Sequence, residues 1–447
     1  MTKQQIHLGL LAQPSGDHPA GWLKSSAPLN AATNIDYYRD VAMLAEQGLF
    51  DLFFIADTPA ARTDNLNVHS RNPEYMNRLE PVTLLSAIAG ATRRIGLGAT
   101  ASTSFYEPYN IARLFASLDH ISHGRAGWNI VTSANDYAAR NYGLDKLPPH
   151  DQRYVRAREF YKVVESLWDT WDDDAFLYDR ETCTYFDPDK FHVTDHQGDY
   201  FKIYGGLNIA RTPQGRPVII QAGSSETGKA FAAETAEVVF ASDPTLASAQ
   251  KFYADLKGRL PAFGRAPESL KIMAGLSVMV GESEAEAQDK YQELQRIMHP
   301  DVGVMRISAD LETDLRGLPL DEPVPEELIP EKANFHQAYF NQIVGMIREQ
   351  KLTLRQLYSS YERGKVTLCG TPQTITDHMM EWMESDAADG FMMSFHVVPD
   401  DLNDFVQKVV PEMQKRGVYR KSYSGTTLRE HLGLDWPENR HSKADKA

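Results

Sequence analysis

The residues with the clearest chemical potential are Gly223, Ser224 and Ser225, which follow an apolar run and directly precede a helical pattern. Free N–H groups at a helix N-terminus attract anions, two hydroxyls can donate hydrogen bonds, and a glycine lets a ligand approach the backbone. The triplet therefore suits a phosphate group. A turn glycine followed by a serine N-cap is common at helix starts, so the triplet alone leaves both interpretations open.

Three further polar positions are associated with apolar runs earlier in the chain. Asp57 follows the second run, Thr103 lies in a hydroxyl-rich stretch after the third, and Asn129 lies within the fourth. The hydroxyl nearest to a ligand is open between Ser102, Thr103 and Ser104. One polar residue after a strand is usually a helix cap, whereas four such clusters in succession are better explained by a bound polar ligand.

The histidines and carboxylates give weaker evidence for a particular function than these polar clusters do. His18, in the loop after the first run, is a candidate catalytic proton donor or acceptor, and a solvated loop histidine is the alternative. His120 and His123 are three residues apart with no third ligand nearby, and His-Glu-x-x-His is absent, so no metal site is predicted. Asp57 and Glu80 would suit a glycosidase only at a defined separation, which the sequence does not fix.

The elements that must position these residues are eight short apolar runs separated by helical patterns. Continuous runs, without strict alternation, indicate parallel strands buried on both faces. Strand–helix alternation around eight strands predicts an α/β fold, a (β/α)₈ TIM barrel, whose strands end at the functional face. A doubly wound open sheet is the alternative, weakened because no G-x-G-x-x-G follows the first strand. The predicted strands are Ile6–Leu11, Leu52–Ala56, Ile95–Thr100, Gly127–Thr132, Val218–Ala222, Val238–Ala241, Ile272–Val280 and Phe391–Val398.

Two connections are much longer than a barrel needs. Residues 141–217 separate the fourth and fifth strands and contain a predicted helix, Arg153–Trp171, followed by an acidic, aromatic stretch. Residues 281–365 separate the seventh and eighth strands and contain two helical patterns around a proline-rich loop. Such insertions are typically lids or substrate walls. We expect one domain over 1–447, with a C-terminal extension at 411–447 whose polar end is frayed.

Net charge, apolar segment length and cysteine content limit the kinds of partner and the compartment that are expected. The net charge of −15 disfavours nucleic acid and anionic membrane surfaces. No apolar segment has the length of a signal-peptide core or a membrane helix. Cys183 and Cys369 are the only cysteines, which favours free thiols in a reducing compartment. These features predict a soluble, cytoplasmic protein.

The order of the motifs along nearly the whole chain resembles the bacterial luciferase-like flavin monooxygenase superfamily. Within it, the chain is similar to the branch containing nitrilotriacetate, EDTA and dibenzothiophene-sulfone monooxygenases. Each motif is weak alone, and together they are specific. They are Phe53-Phe54-Ile55-Ala56-Asp57, Glu80-Pro81, Ser117-Leu118-Asp119-His120-Ile121-Ser122, Gly124-Arg125-Ala126-Gly127-Trp128-Asn129, Arg153-Tyr154, Gln221-Ala222-Gly223-Ser224-Ser225 and Thr427-Leu428-Arg429.

The resemblance implies a TIM barrel that uses reduced FMN, supplied by a separate NAD(P)H-dependent flavin reductase. Reduced FMN and dioxygen would form a flavin C(4a)-hydroperoxide that oxidises a small nitrogen- or sulfur-containing substrate, with C–N or C–S cleavage. By position, Asp57, Thr103 and Asn129 would approach the isoalloxazine and ribityl groups. His150 and Tyr154 would approach the ribityl–phosphate end, and the phosphate itself would bind to Gly223, Ser224 and Ser225.

Two alternatives remain at this point: a deazaflavin-dependent oxidoreductase of the same superfamily, and a flavin-binding protein without catalysis. Barrels of this superfamily commonly pair. The apolar residues of Val82–Thr92 and Ile111–Ser122 are numerous enough for a second face. We therefore expect a homodimer or a homotetramer.

Overall fold

A computed structural model describes residues 5–72, 76–332, 337–362 and 366–442 of the chain. Its strands combine one large parallel sheet with two small hairpins. In chain order the strands are β1 (His7–Leu11), β2 (Leu52–Ile55), β3 (Gly96–Ser102), β4 (Ala126–Val131), β5 (Phe176–Asp179), β6 (Thr184–Phe186), β7 (Thr194–Gln197), β8 (Lys202–Gly205), β9 (Val218–Gln221), β10 (Val238–Ala241), β11 (Lys271–Val280), β12 (Val366–Gly370) and β13 (Gly390–Phe395).

The parallel sheet closes into an eight-stranded barrel in the order β10-β9-β4-β3-β2-β1-β13-β11. The closing pair is β10 with β11, in which Val238 lies opposite Lys271. The TIM-barrel prediction is therefore confirmed, and the open-sheet alternative is wrong. Each predicted strand corresponds to a barrel strand within three residues at either end. The eighth ends three residues early because the Val397 N–H donates to the Asp401 carboxylate at 2.8 Å instead of continuing the ladder.

Helices occupy most of the connections between strands. They are α1 (Gly21–Lys24), α2 (Ile35–Gln47), α3 (Leu66–His69), α4 (Pro81–Ala89), α5 (Pro108–Ser122), α6 (Asp136–Asn141), α7 (His150–Trp168), α8 (Glu226–Thr235), α9 (Leu246–Arg259), α10 (Glu284–Ile297), α11 (Pro300–Leu311), α12 (Gln337–Gln350), α13 (Leu354–Ser360), α14 (Pro372–Glu384), α15 (Asp400–Asp404), α16 (Val410–Arg416) and α17 (Leu428–His431). None of those in the described part of the chain combines the length and apolarity that a membrane crossing requires.

Local hydrogen bonds explain where several helices begin. The N-cap residues Asn34, Ser225 and Thr371 each accept a hydrogen bond from a backbone N–H in the first turn of α2, α8 and α14. Such a cap satisfies one of the free N–H groups at a helix start. Glu80 caps α4 with both carboxylate oxygens, which accept from the N–H groups of Val82 and Thr83.

The two long insertions differ in construction. The first contains α7 and then two antiparallel hairpins, β5 with β6 and β7 with β8, which the sequence did not predict. The second contains α10, α11, α12 and α13, with a hydrophobic core of their own that includes Ile307, Leu311, Ile343 and Leu357. An additional strand, β12, follows it and pairs with the outer half of β11. The second insertion is thus a helical unit placed over the carboxyl end of the barrel strands.

The C-terminal extension closes the opposite end of the barrel. Leu428 packs among interior residues of β2, β9 and β13, and a Cβ atom at Gly96 would lie only 2.4 Å from Leu428 Cδ1. Glycine at position 96 therefore makes room for the plug. The prediction of a frayed end is wrong as far as Ser442, because Asn439 is buried and its Nδ2 donates to the Trp171 carbonyl at 2.9 Å. Residues 443–447 lie outside the described residues.

Candidate active site at the mouth of the barrel

Asn129 lies at the centre of the polar groups on β2, β3 and β4. Its Nδ2 donates to Thr100 Oγ1 at 2.9 Å, and the Thr100 hydroxyl donates to the Ile55 carbonyl at 2.9 Å. The chain of bonds leaves Asn129 Oδ1 buried with no hydrogen-bond partner among the described residues. A buried carbonyl oxygen without a partner is costly, so this atom is available to a ligand that brings an N–H or O–H group.

The three candidate hydroxyls after β3 all have partners within the protein. Thr103 Oγ1 lies 3.2 Å from the Val131 carbonyl, and Ser104 Oγ donates to the Thr132 carbonyl at 2.7 Å. Ser102 Oγ bonds to Ser133 Oγ at 2.7 Å. These contacts tie the end of β3 to the end of β4, and the choice between the three hydroxyls stays open.

Asp57 lies at the end of β2 in a partly buried, aromatic environment. Burial raises the pKa of Asp57; Arg78 acts against this, whereas the neighbouring Glu80 adds to it. Burial and the charge of Glu80 also raise the pKa of Tyr106 to about 12, with Tyr142 and Asp57 acting in the same direction. Asp57 is not a helix cap, because the two helices that follow it, α3 and α4, have Asn65 and Glu80 as their N-cap residues. Its carboxyl lies at the barrel mouth and accepts a hydrogen bond from the Thr58 N–H.

The start of α7 and the start of α8 meet at one point. His150 Nε2 lies 3.3 Å from Ser225 Oγ, and the His150 and Tyr154 rings are 4.9 Å apart. A Cβ atom at Gly223 would lie 3.0 Å from the Tyr154 hydroxyl and 3.1 Å from Gly228 Cα. Sequence analysis predicted four of these five residues, and the structure brings all of them together. We call His150, Tyr154, Gly223, Ser225 and Gly228 the cradle; Ser224 is exposed beside it.

The cradle has the chemistry of an anion site. The α8 N-terminus presents backbone N–H groups, Ser225 and Tyr154 present hydroxyls, and the glycines leave room for a ligand. Gly228 was missed because a glycine in the first turn of a helix carries no chemical signal. The one sequence signal for Gly228 is that it lies three residues after Ser225, the usual spacing between an N-cap and the N–H that it accepts from. In the structure, Ser225 Oγ accepts a hydrogen bond from the Gly228 N–H at 3.1 Å.

Arg153 is a second residue that sequence reasoning missed. Its guanidinium donates to the carbonyls of Ser133 and Thr132, which places a positive charge between the cradle helix α7 and the end of β4. Its Nε is buried and has no hydrogen-bond partner within the described ranges. Burial lowers its pKa, and Tyr154 and Asp136 oppose that shift. The sequence signal was its place beside Tyr154 in the Arg153-Tyr154 motif.

His18 belongs to a different group of polar residues. It is 6% exposed, so the alternative of a solvated loop histidine is wrong. Its ring lies 6.1 Å from the His396 ring, after β13, and 6.3 Å from the Tyr291 ring, on α10. His120 has a structural contact instead, from Nε2 to the Ala210 carbonyl at 2.9 Å. The left-handed backbone of His123 ends α5.

A closed parallel barrel with polar groups gathered at the carboxyl ends of its strands is the architecture of a TIM-barrel enzyme. The sequence model of the Luciferase-like monooxygenase family matches residues 17–390. The chain belongs to this family, as the resemblance predicted, and it is a monooxygenase of the kind that uses reduced flavin.

Two relatives cover nearly the full length of the chain. An N-acetyl-S-(2-succino)cysteine monooxygenase from Bacillus subtilis is 45% identical over 99% of each chain. Component A of a nitrilotriacetate monooxygenase from Aminobacter aminovorans is also 45% identical over 99% of each chain. The names of these two enzymes state different substrates.

Solved structures agree with the fold. A long-chain alkane monooxygenase is 31% identical with a TM-score of 0.84, covering 97% of this chain and 96% of its own. A riboflavin lyase, solved with modified FMN and substrate riboflavin, is 30% identical with a TM-score of 0.83 and the same coverage. An F420-dependent reductase and an F420-dependent alcohol dehydrogenase are 15% and 13% identical, with TM-scores of 0.55 and 0.56, and share the fold alone.

Proposed function

We propose that this protein is the oxygenase of a two-component system, which takes reduced FMN from a separate NAD(P)H-dependent reductase and oxidises a small nitrogen- or sulfur-containing molecule. The observation that carries this proposal is the cradle beside Asn129. The candidate anion site follows β9, and a buried oxygen with no partner among the described residues lies on the neighbouring strand β4, which is the arrangement that a flavin mononucleotide needs. Bound reduced FMN would supply the electrons that activate dioxygen.

The cradle would hold the phosphate. Ser225 and Ser224 present hydroxyls and the α8 N-terminus presents N–H groups, while Gly223 permits close approach. Tyr154 and His150 would bind the ribityl–phosphate end from α7. Because His150 and Ser225 already lie 3.3 Å apart, one phosphate oxygen can reach both of them without a large movement.

The strand ends would hold the rest of the flavin. Asn129 Oδ1 would accept a hydrogen bond from a donor on the ring or on the ribityl chain, and Asp57 would accept one from the ring. Thr103 would contact the ribityl region. Arg153 is also within this region, and its charge favours an electron-rich ring. Together these groups would fix the ring relative to the substrate and exclude water from it.

The reaction class follows from the relatives. Enzymes with 45% identity oxidise a thioether and a tertiary amine according to their names, so we propose oxygen transfer next to sulfur or nitrogen, followed by C–S or C–N cleavage. His18 is the proposed catalytic residue near the substrate. The F420-dependent alternative has less support, since those enzymes share only the fold.

The partners are a reductase and a second copy of the chain. The name "component A" of the nitrilotriacetate enzyme implies another component, and we propose the reductase for that role. Self-association stays a prediction with mixed support. On α5, Leu114 and Ile121 are 39% and 50% exposed, as a second face requires. The large apolar residues of α4 are buried, so that helix contributes little to such a face.

The test combines binding with turnover. Anaerobic titration should show that reduced FMN binds more tightly than oxidised FMN, and tight binding of the oxidised form alone would favour a non-catalytic flavin protein. Oxygen consumption should then be measured with a flavin reductase and a panel that includes nitrilotriacetate, EDTA, N-acetyl-S-(2-succino)cysteine and dibenzothiophene sulfone. Absence of oxidation across thioethers, sulfones and amines would refute the proposed substrate class.

A further inference from the structure

A buried polar cluster connects the loop after β1 to the second insertion. Asp17 joins the loop to the barrel: its Oδ1 pairs with His396 Nδ1 at 3.2 Å, and its Oδ2 accepts from Ser277 Oγ at 3.1 Å. His18 lies beside this pair and packs edge-on against His396 and against Tyr291 of α10. The cluster therefore contains residues from the barrel and from the helical unit above it.

The hydrogen bond from Ala20 fixes the protonation pattern of His18. The Ala20 N–H donates to His18 Nδ1 at 3.0 Å, so Nδ1 must present a lone pair. In a neutral imidazole the single proton is then on Nε2. Burial lowers the pKa of His18 to about 3, and the charges of His396 and Arg306 act in the same direction. Asp17 and Gln295 oppose the shift. His18 is thus neutral at ordinary pH.

A second set of bonds fixes the orientation of Gln295. The Tyr291 hydroxyl has one proton, and it donates that proton to the Glu362 carboxylate, which can only accept when ionised. The Tyr291 oxygen is left as an acceptor, and Gln295 Nε2 donates to it at 2.5 Å. With Nε2 committed to Tyr291, Gln295 Oε1 must point to a different neighbour.

That neighbour is His18. Gln295 Oε1 and His18 Nε2 are both buried, and neither has another hydrogen-bond partner in the described part of the chain. Gln295 acts on His18 through a side-chain hydrogen bond that raises the pKa of His18, so the two side chains are in contact. One group is an acceptor and the other carries a proton, so they complement each other. The chain of contacts runs from Glu362 through Tyr291 and Gln295 to His18.

We infer that Gln295 is a positioning residue, which Glu362 and Tyr291 orient so that it holds His18 as a neutral Nε2–H donor. The single ring proton of His18 is then donated to Gln295, so His18 lies beside the substrate as a neutral imidazole of fixed orientation and does not act as a proton-transferring base. This rests on the proposed function only in placing His18 near substrate. The same contacts tie α10 to the loop after β1, so the position of the second insertion is coupled to the donor.

The test reads the protonation of His18 directly. ¹⁵N-histidine NMR of the flavin-free protein, with His18→Gln to identify the signal, should show a neutral Nε2–H tautomer from about pH 6 to 9. Gln295→Glu places a carboxylate beside the ring and should raise the pH at which His18 titrates. Gln292→Glu is the matched control, since it adds the same charge at an exposed position of the same helix and should leave the titration unchanged.

Kinetics supply a second readout. Tyr291→Phe removes the group that orients Gln295, and we expect kcat to fall about tenfold with KM nearly unchanged, as for one misdirected hydrogen bond. An Nδ1–H tautomer, a charged His18 at neutral pH, or identical titrations in the two glutamate variants would overturn the inference. Because the NMR measurement needs neither flavin nor substrate, a failed oxidation assay with the wild-type protein would count against the proposed function alone.

Discussion

The two ends of the barrel hold their buried polar groups in different ways. At the closed end, the buried Asp51 pairs with Arg420 and His7, and the partly buried Glu237 pairs with Arg429. Arg420 Nη1 and Arg429 Nε have no hydrogen-bond partner among the described residues, but each guanidinium is paired with a carboxylate.

At the open end the groups are poorly satisfied. Asn129 Oδ1 and Arg153 Nε are buried without a partner among the described residues, and Asp57 is a partly buried carboxyl beside the like-charged Glu80. Buried polar groups that the protein itself leaves unpaired are expected where a ligand completes them. The difference indicates that the closed end stabilises the fold, and it supports the proposal that the open end binds a ligand. Each prediction below tests one of these two ends.

The largest effect is expected at the closed end, from Arg420→Met. The substitution leaves the Asp51 carboxylate buried without its arginine, and breaking a buried ion pair in this way typically costs about 3–5 kcal/mol of unfolding free energy. Denaturant unfolding measures the loss. Arg39→Met is the matched control, because Arg39 forms ion pairs with two exposed aspartates and its removal should change stability little. Equal stabilities of the two variants would contradict the division between the ends.

The pH dependence of stability tests the same end. Burial lowers the pKa of His431 to about 4, with Arg420 opposing and Asp51 favouring its protonation. The folded state therefore prefers the neutral ring. Its contribution is fully present above about pH 6.5, the unfolded pKa, and is lost as the pH falls toward 4, at about 1.4 kcal/mol per unit of pH.

His431→Gln should flatten the stability profile between pH 6.5 and 4, measured by denaturant unfolding at each pH. His123→Asn is the control, since His123 is exposed and asparagine tolerates its left-handed backbone. If His431→Gln keeps the wild-type slope over this range, His431 is charged in the folded protein and the closed end is not organised as described.

At the open end, Ser225→Ala should weaken reduced-FMN binding by roughly ten- to a hundredfold, since a charge-assisted hydrogen bond is worth about 1.5–3 kcal/mol. The substitution also removes the α8 cap, which costs about 1 kcal/mol of stability. Ser283→Ala separates the two effects, because Ser283 caps α10 through the same type of bond without being part of the cradle. Equal flavin affinity in both variants would remove Ser225 from the phosphate site.

Sequence reasoning located the barrel because its strands are buried on both faces. Leu52–Ile55 is buried at every position, so its apolar run is unbroken. The hairpin β5–β6 was missed for the opposite reason: Leu177, Tyr178 and Tyr185 are 49%, 60% and 63% exposed, and apolar side chains facing solvent produce no pattern that indicates strand.

Part of the geometry of the candidate site could be predicted from the sequence. Asp57 and Ser225 lie within four residues of the ends of β2 and β9, so a barrel alone brings them to its mouth. The contacts of Arg153 could not be predicted, because its partners are the backbone carbonyls of Thr132 and Ser133, the two residues directly after β4. Contacts to the backbone leave no trace in residue types. The contact between His18 and Gln295 joins two residues that six barrel strands separate along the chain. The spacing of residues in the sequence cannot reveal such a contact.

The smallest expected effect concerns Asp57. Its carboxyl ends β2 at the barrel mouth, where burial and Glu80 raise its pKa despite the presence of Arg78. If it accepts a hydrogen bond from the flavin ring, Asp57→Ala should let the ring shift and admit water. We expect hydrogen peroxide released per substrate oxidised to rise by about two- to tenfold, the range for loss of one ordinary hydrogen bond. The variant is saturated with reduced FMN during the measurement, so that weaker binding does not contribute.

Two variants sharpen this measurement. Asp57→Asn keeps the size of the side chain and one acceptor oxygen, so it should release less peroxide than Asp57→Ala. Asp64→Asn is the control from the same connection, because Asp64 is an exposed residue that bonds to Arg62. If Asp57→Ala shows the wild-type ratio and normal turnover, the carboxyl only supports the loop after β2. The open end would then owe its unsatisfied groups to Asn129 and Arg153, and the region assigned to the flavin ring would shrink to β3, β4 and the cradle.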